Sequence, residues 1–301
     1  MDTSFIKGVI PPIVTPTDEN ERVNEPVQRE IVDHIIKGGV HGILALGSNG
    51  EFYGLGPEEQ ERSGRIIIDQ AAGRVPVYFG IADITTRECV KWAKKAEEIK
   101  ADAVSVLHPM FLGPNDDEMY QHFKAVAEAT SLPVLLYNNP DRMRCGISAN
   151  LLERLSDVPN IVGVKESSGD MTLTAEFIRR TRDKNKEFKV IAGRDILILS
   201  TLVYGGAGTV ASSANIVPEL VVEIYDKFMA GDIAGALDAQ YRLTPMRMAY
   251  GLSSFPVVTK DYMRLLGFDV GEPIKPNTRS TPEVLSVLKQ HLEKLGAKKL
   301  V

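Results

Sequence analysis

Short apolar segments alternate with amphipathic segments through the first 218 residues, and this repetition constrains the fold more than any other feature. The eight apolar segments span residues 8–16, 42–46, 75–79, 102–107, 133–137, 161–165, 188–192 and 207–211. Because these segments are apolar almost throughout, each predicts a strand buried on both faces, as in parallel sheets covered by helices. Pro11 and Pro12 lie inside the first segment, so we expect its ends to be irregular.

The intervening amphipathic segments have the periodicity of helices. They span residues 27–37, 57–72, 86–99, 116–130, 149–156, 171–183 and 195–204. Eight strand–helix units in roughly 220 residues favour an α/β fold of the closed (β/α)8 TIM barrel type. An open doubly wound sheet is the alternative. No Gly-x-Gly-x-x-Gly sequence follows the first strand, which argues against a dinucleotide-binding form of that sheet.

The alternation stops after Pro218. The remaining periodic segments predict four helices with no strands between them, at 220–229, 233–250, 256–266 and 282–295. No change of composition or low-complexity tract indicates a flexible linker. We therefore predict a barrel over residues 1–218, carrying the catalytic lysine, and a C-terminal helical extension over residues 219–301 that packs on it.

Charge and composition argue against several classes of partner. The chain carries 35 Lys and Arg residues against 40 Asp and Glu, a net charge of −5 with no basic run, so nucleic-acid binding is not expected. No apolar run is long enough to cross a membrane. The N-terminus lacks a signal-peptide pattern, and Cys89 and Cys145 form no disulfide framework, so we expect a cytoplasmic protein. The scattered histidines predict no metal site.

The active site of such a barrel lies at the C-terminal ends of the strands, where this chain places many polar residues, several glycines and a phenylalanine. They are Gly47, Ser48, Asn49, Gly50 and Glu51 after the second strand; His108 and Phe111 after the fourth; Tyr137, Asn138, Asn139 and Arg142 at the fifth; Lys165 and Ser167 at the sixth; Gly193, Arg194 and Asp195 at the seventh; Ser212, Ser213 and Asn215 at the eighth.

Lys165 stands at the end of the apolar segment 161–165, directly before a Ser-Ser-Gly-Asp turn. One interpretation is a strand-end lysine that extends its amine into water. The other is an amine held in the barrel mouth, where it attacks a carbonyl to form a Schiff base. The set of residues at the mouth suits the second interpretation, because Tyr137 on the adjacent strand can donate and accept a proton beside an imine.

Each neighbouring residue also has a purely structural interpretation. Tyr137 can be an amphipathic aromatic residue at a strand end. Asp195 can cap a helix N-terminus instead of binding a ligand. Ser212 and Ser213 can satisfy local backbone groups. Glu51 can pair with a loop N–H and never touch a substrate.

Three motifs on three strands nevertheless resemble one known family. The runs Gly47-Ser48-Asn49-Gly50-Glu51, Tyr137-Asn138-Asn139-Pro140 and Gly163-Val164-Lys165-Glu166 are similar to those of the dihydrodipicolinate synthase / N-acetylneuraminate lyase family of class I aldolases. The similarity runs in order from about residue 8 through residue 215 and continues into the helical C-terminal region. It implies a TIM barrel and an imine on Lys165.

The resemblance also implies roles for individual residues. Lys165 corresponds to the lysine that attacks the ketone of pyruvate or a longer 2-oxo acid, and Tyr137 to the acid–base hydroxyl. Ser48 corresponds to the Ser or Thr that relays the proton and holds the carboxylate. The next residue is usually a threonine, whose hydroxyl and N–H bind the carboxylate. Here it is Asn49, which retains the backbone N–H donor but not the hydroxyl. The same Gly-Ser-Asn-Gly-Glu run occurs in the 4-hydroxy-2-oxoglutarate aldolases of the family, so the chemistry is not in doubt.

Other departures from the family pattern concern the substrate. Many dihydrodipicolinate synthases have a tyrosine that reaches into the neighbouring subunit's site, and that position is Phe111 here. Arg142 matches the arginine that those synthases use near the carboxylate of the aldehyde. Sialic-acid lyases bind sugar hydroxyls with a Gly-x-Asp-Glu sequence after the seventh strand. Here the sequence is Gly193-Arg194-Asp195-Ile196, which keeps the aspartate and loses the glutamate.

We therefore expect a lyase that cleaves, condenses or dehydrates a short hydroxylated 2-oxo acid, of the 2-keto-3-deoxy sugar acid or 4-hydroxy-2-oxoglutarate type. The alternative within the family is a 4-hydroxy-tetrahydrodipicolinate (dihydrodipicolinate) synthase, which condenses pyruvate with aspartate semialdehyde. A catalytically inactive sugar-acid-binding barrel is disfavoured because Lys165 and Tyr137 are both retained. A phosphate-binding barrel is disfavoured because residues 212–215 are not glycine-rich.

The predicted catalytic residues are Lys165, Tyr137 and Ser48. The predicted substrate-binding residues are Gly47, Asn49, Phe111, Arg142, Ser167, Gly193, Asp195, Val210 and Ser212. No metal and no cofactor are expected, because the imine itself serves as the electron sink. The expected partner is a small 2-oxo acid, with no nucleic acid and no membrane, and the resemblance implies a homotetramer.

Overall fold

The computed structural model describes residues 1–184 and 187–300, and it is a (β/α)8 TIM barrel followed by further helices. The strands β1 to β8 are, in order, Gly8–Val9, Ile43–Ala45, Val77–Ile81, Ala103–Leu107, Val134–Asn138, Ile161–Glu166, Lys189–Ala192 and Gly208–Thr209. All pair in parallel in the order β1-β8-β7-β6-β5-β4-β3-β2. The predicted fold class is confirmed.

The N-terminal proline-containing run closes the barrel. Its regular part, β1, pairs with β8, and the residues after it turn to pair with β2. Leu44 donates its N–H to the carbonyl of Pro11 at 2.9 Å, and its own carbonyl accepts the N–H of Ile13 at 3.0 Å. Pro11 lacks an N–H but still offers its carbonyl to this ladder, while the Pro12 carbonyl accepts from Asn215 Nδ2 at 3.0 Å. This closure is why regular β1 is so short, and it rules out the open-sheet alternative.

Eleven α-helices lie in the described part of the chain. Helices α1 to α11 are, in order, Glu25–Lys37, Pro57–Ala71, Thr86–Glu98, Asp116–Glu128, Ala149–Leu155, Met171–Thr181, Ile198–Val203, Pro218–Met229, Ile233–Met248, Val257–Leu265 and Pro282–Leu295. The predicted helix at 195–204 is divided into a 3₁₀ turn, Asp195–Leu197, and α7. Helix α8 follows β8 and contacts both β1 and α9. The domain boundary at residue 218 therefore stays a prediction.

A layer of apolar side chains fills the interior of the barrel. Each strand or its extension contributes one residue to it: Ile10, Leu44, Tyr78, Ala103, Leu135, Val162, Ile191 and Val210, joined by Ile6 from the N-terminal segment. Because Val210 belongs to this layer and also lines the cavity described below, the layer forms the floor of that cavity.

Among the described residues, no helix combines the length and hydropathy that a membrane span requires.

Candidate active site

A cavity of about 250 Å³ opens at the C-terminal end of the strands. Eight predicted site residues line it, namely Asn49, Tyr137, Arg142, Lys165, Ser167, Gly193, Val210 and Ser212. The other lining residues are Asn139, Asp141, Arg194, Arg247 and Phe255. Two larger grooves, of about 350 and 640 Å³, contain none of the predicted site residues. The predicted constellation is thus largely brought together in one place.

Lys165 and Tyr137 are direct neighbours in the sheet. They are register partners in the β5–β6 ladder, so their side chains leave the same face of the barrel. The Lys165 Nζ lies 3.8 Å from the centroid of the Tyr137 ring. Both residues are buried, with exposed fractions of 4 % and 7 %. An amine is therefore held against a phenol where little water reaches it.

The Tyr137 hydroxyl lies in a polar network. It accepts a hydrogen bond from Asn139 Nδ2 at 2.9 Å. Burial raises the pKa of Tyr137, but the Lys165 charge and the hydrogen bonds with Ser48, Asn139 and Lys165 together hold that pKa below its usual value. The hydroxyl can therefore give up a proton more easily than an ordinary buried tyrosine, which is what an acid–base group needs.

Ser48 and Gly47 lie behind Tyr137 and do not line the main cavity. With Tyr137 they border a small adjoining cavity toward β2 and β3. Ser48 therefore reaches the main cavity through the Tyr137 hydroxyl. This arrangement agrees with the relay role that the resemblance implies for Ser48, which stays a prediction.

Asn49 uses its side chain to hold the site loops together. Its Nδ2 donates to Ser212 Oγ at 2.7 Å, and its Oδ1 accepts from Thr259 Oγ1 at 2.8 Å. The amide therefore joins the loop after β2 to the loop after β8 and to α10. With Oδ1 and one Nδ2 hydrogen occupied, Asn49 keeps its backbone N–H and its second Nδ2 hydrogen to offer a ligand.

Glu51 binds no ligand in this arrangement, because its carboxylate is occupied within the protein. It accepts the Ile274 N–H at 2.9 Å and forms an ion pair with Lys260 Nζ at 2.6 Å, both side chains being 1 % exposed. The backbone of Glu51 has a left-handed φ of +52°. Lys260 also donates to the Glu272 carbonyl at 2.9 Å. The structural interpretation of Glu51 is thus the correct one.

Replacing Lys260 with methionine is expected to lower the free energy of unfolding by about 3–5 kcal/mol, because Glu51 is then left buried without its cation. Chemical denaturation followed by circular dichroism measures this. Arg279→Met is the control, since it removes a cation from an exposed pair with Glu272 and is expected to cost less than about 1 kcal/mol. Equal effects of the two substitutions would show that the buried pair stabilises the fold no more than the exposed pair does.

Ser167 offers a free hydroxyl beside Lys165. The residue is 5 % exposed, and its Oγ has no hydrogen-bond partner among the described residues. A Cβ atom at position 193 would lie only 1.8 Å from this Oγ, so only glycine fits there without displacing Ser167. Because a buried hydroxyl without a partner is costly, Ser167 is well suited to bind a polar group of a ligand.

Asp195 does not line the cavity, contrary to its predicted role as a ligand to a substrate hydroxyl. Its carboxylate is 1 % exposed and accepts hydrogen bonds from the N–H and Oγ of Ser213 at 2.8 and 2.5 Å. It does not cap a helix either, since it is itself the first residue of the 3₁₀ turn. The carboxylate instead joins the ends of β7 and β8. Ile196, next to it, also lies outside the cavity lining.

Phe111 lies on the protein surface, away from the cavity. Its side chain is 75 % exposed, and its backbone has a left-handed φ of +67°. The resemblance implies that this position reaches into a neighbouring subunit's site. The contact with a neighbouring subunit stays a prediction.

Two cavity residues come from the C-terminal region and are not among the predicted site residues, namely Arg247 on α9 and Phe255 before α10. The Arg142 guanidinium carbon lies 4.5 Å from the centroid of the Phe255 ring. No motif surrounds either residue, and only the packing of the extension on the barrel brings them to the mouth. No group of three or more residues suited to hold a metal ion occurs within residues 1–184 and 187–300.

Comparison with known proteins gives a consistent result. Residues 5–295 match the model of the dihydrodipicolinate synthetase family. A 4-hydroxy-tetrahydrodipicolinate synthase of Methanopyrus kandleri is 35 % identical over 293 residues, covering 97 % of each chain.

Solved structures agree with this match. A prophage protein of the dihydrodipicolinic acid synthase family from E. coli K12, in complex with pyruvate, is 29 % identical with a TM-score of 0.92, over 96 % of this chain and 98 % of that one. A monomeric dihydrodipicolinate synthase variant is 26 % identical with a TM-score of 0.94, over 97 % of this chain and 98 % of that one. These similarities extend over nearly the whole chain.

Proposed function

Since the chain belongs to the dihydrodipicolinate synthetase family, and is thus an enzyme of the class I aldolase type, we propose that Lys165 forms an imine with the ketone of pyruvate. The observation that carries the proposal is the buried Lys165 Nζ, 3.8 Å from the ring of Tyr137 in a polar cavity. An amine in that position can attack a carbonyl carbon while a phenol beside it handles the protons.

The chemistry divides into balanced steps. The neutral Lys165 amine adds to the ketone carbon, and the carbonyl oxygen leaves as water when the imine forms. The protonated imine then accepts the electrons of a C3–H bond as that proton departs, which gives a neutral enamine. The enamine carbon attacks an aldehyde, whose oxygen takes up a proton, and water then hydrolyses the resulting imine to release the product and the free amine. In the cleavage direction the same carbon–carbon bond breaks. Tyr137 moves the protons in these steps, and Ser48 relays them.

The carboxylate of pyruvate binds beside the Schiff base. The backbone N–H of Asn49, which lines the cavity, lies in a loop flanked by Gly47 and Gly50, which allow a close approach of the backbone. A Cβ at Gly50 would lie only 3.0 Å from Thr15 Oγ1, so a larger residue there would disturb this loop. Ser167 supplies a further hydroxyl donor.

The first candidate reaction is the condensation of pyruvate with aspartate semialdehyde. Relatives of about one-third identity over nearly the full length are named 4-hydroxy-tetrahydrodipicolinate synthase, and Arg142 lines the cavity where the aldehyde's carboxylate would bind. The sequence alone favoured the reverse order, with the short hydroxylated 2-oxo acid first and the synthase as the alternative. The second candidate reaction is the cleavage of a short hydroxylated 2-oxo acid. It is favoured by Phe111, which lacks a tyrosine hydroxyl, and by Asn49.

The proposal includes no cofactor and no metal, because the imine draws electrons away from C3 without one. It includes a small 2-oxo acid as partner, no nucleic acid and no membrane, a cytoplasmic location, and a homotetramer. The monomeric variant among the structural relatives makes the oligomeric state a matter for direct measurement, for example by sedimentation.

A substrate panel tests the proposal. The protein is first treated exhaustively with a chelator, and kcat/KM is then measured for five reactions. These are condensation of pyruvate with aspartate semialdehyde and cleavage of 4-hydroxy-2-oxoglutarate, 2-keto-3-deoxygluconate, 2-keto-3-deoxygalactonate and N-acetylneuraminate. We expect full activity after chelation, with the first reaction fastest and N-acetylneuraminate very poor. Activity that disappears with chelation and returns with a divalent metal would contradict the class I mechanism.

A further inference from the structure

The cavity lining carries more positive than negative charge. Its cationic side chains are Lys165, Arg142, Arg194 and Arg247, and Asp141 is the carboxylate among the lining residues that the structure describes. Arg194 forms an ion pair with Asp141, so these two charges compensate one another. Once Lys165 has reacted with a 2-oxo group, the guanidinium groups of Arg142 and Arg247 still face the cavity. Arg142 has no carboxylate partner among the described residues, and Arg247 has only a long contact with the buried Asp195, so together they attract an anionic ligand.

Both guanidinium groups rest on aromatic rings. The Arg142 Cζ lies 4.5 Å from the centroid of Phe255, and the Arg247 Cζ lies 4.6 Å from that of Tyr250. Stacking holds a guanidinium by its face and leaves the N–H groups at its edge available. Neither side chain donates a hydrogen bond to another described residue. Each therefore presents free donors in a fixed orientation.

Arg247 has an ion-pair partner, the buried Asp195 carboxylate, but that contact is too long for a hydrogen bond. Its side chain is 21 % exposed, and its buried Nε has no hydrogen-bond acceptor within the described part of the chain. The nearest carboxylate oxygen, Asp195 Oδ1, is 3.5 Å away, and the other oxygen of that carboxylate accepts from Ser213. A buried charged donor without an acceptor is costly. A ligand oxygen in the cavity would remove that cost.

We propose that Arg247, together with Arg142, binds an anionic group at the end of the substrate remote from its 2-oxo group. Arg247 thereby selects 2-oxo acids that carry a second carboxylate over those that end in a methyl group or a neutral polyol. This inference rests on the proposed function, because the imine on Lys165 fixes the 2-oxo end of the ligand. A phosphate group has the same chemistry toward guanidinium as a carboxylate, so the test includes both.

The test uses borohydride trapping of imines on Lys165, measured by mass spectrometry as a function of ligand concentration. The central comparison is between 2-oxoglutarate and 2-oxovalerate, which differ in a carboxylate against a methyl group at the distal end. A third ligand, 2-oxo-4-phosphonobutanoate, carries a phosphonate there. We expect half-maximal trapping of 2-oxoglutarate at a concentration about 10- to 100-fold lower than that of 2-oxovalerate, the effect of a charge-assisted hydrogen bond.

Arg247→Met is expected to reduce this preference at least about tenfold, and Arg247→Lys, which keeps the charge but not the planar fork, to reduce it less. Arg242→Met is the matched control. Arg242 lies on the same helix α9 but is exposed and pairs with Asp238 and Glu223, so its removal is expected to leave the preference unchanged. Trapping of pyruvate by each variant shows that its site is still folded.

The outcomes separate the two proposals. If pyruvate is trapped on Lys165 but wild-type protein treats 2-oxoglutarate and 2-oxovalerate alike, or Arg247→Met keeps the wild-type preference, the distal anion site is wrong. Stronger trapping of the phosphonate than of 2-oxoglutarate would support the anion site and overturn its assignment to carboxylates. If pyruvate is not trapped on Lys165 at all, the proposed function itself fails.

Discussion

Replacing Lys165 with arginine is expected to lower turnover by at least about 10⁴-fold, the largest effect that we predict for a single substitution. A guanidinium stays protonated at all accessible pH values and cannot add to a ketone. The charge and approximate length of the side chain are kept, so the Tyr137 ring still faces a cation. The loss of turnover would therefore report the loss of the nucleophile. Steady-state pyruvate release or consumption measures it.

Trapping identifies the nucleophile directly. Borohydride reduction with pyruvate is expected to add mass to wild-type protein on the peptide that contains Lys165 and to add none to Lys165→Arg. Lys189→Arg is the matched control, because Lys189 lies on the adjacent strand β7, outside the cavity lining. An adduct on any other lysine would refute the assignment of Lys165.

Replacing Tyr137 with phenylalanine is expected to lower kcat by about 10²–10⁴-fold. The substitution removes one hydroxyl and keeps the ring against which Lys165 packs. Because the lost group makes hydrogen bonds with Asn139, Ser48 and Lys165, the free energy of unfolding should fall by about 1–3 kcal/mol. Rapid-quench or steady-state kinetics, together with chemical denaturation of the same variant, gives both quantities.

Tyr78→Phe provides the comparison for this substitution. Tyr78 is fully buried in the apolar layer at the floor, and its hydroxyl donates to the Phe5 carbonyl at 3.3 Å, away from the cavity. Removing that hydroxyl should change kcat by no more than about twofold, because the substitution removes a structural hydrogen bond and no catalytic group. Near-normal turnover of Tyr137→Phe would leave Tyr137 with a packing role only.

The alternation of apolar and amphipathic segments was enough to predict the barrel. The long strands β3 to β7 lie close to their predicted positions, because they are buried on both faces and read as apolar runs. The Lys165–Tyr137 pair was predictable for a related reason. Both residues end neighbouring strands, and parallel strands end at the same edge of a barrel.

Other parts of the site depend on packing that leaves no local signal in the sequence. Arg247 reaches the cavity because α9 packs against the 3₁₀ turn Asp195–Leu197, which is some fifty residues away along the chain. Asp195 was predicted to bind a substrate because its position after a strand suits a ligand, but it does not line the cavity. Only the folded chain reveals that Ser213 occupies its carboxylate.

The contacts that hold the loop after β2 have a consequence for biosynthesis. Asn49 is bound by Thr259 and Glu51 by Ile274, contacts that span 210 and 223 residues of sequence. Chains are synthesised from the N-terminus, so a nascent chain that has already folded its barrel still lacks the residues that hold this loop. We expect such a chain to remain inactive on the ribosome until α10 and residue 274 have left the exit tunnel.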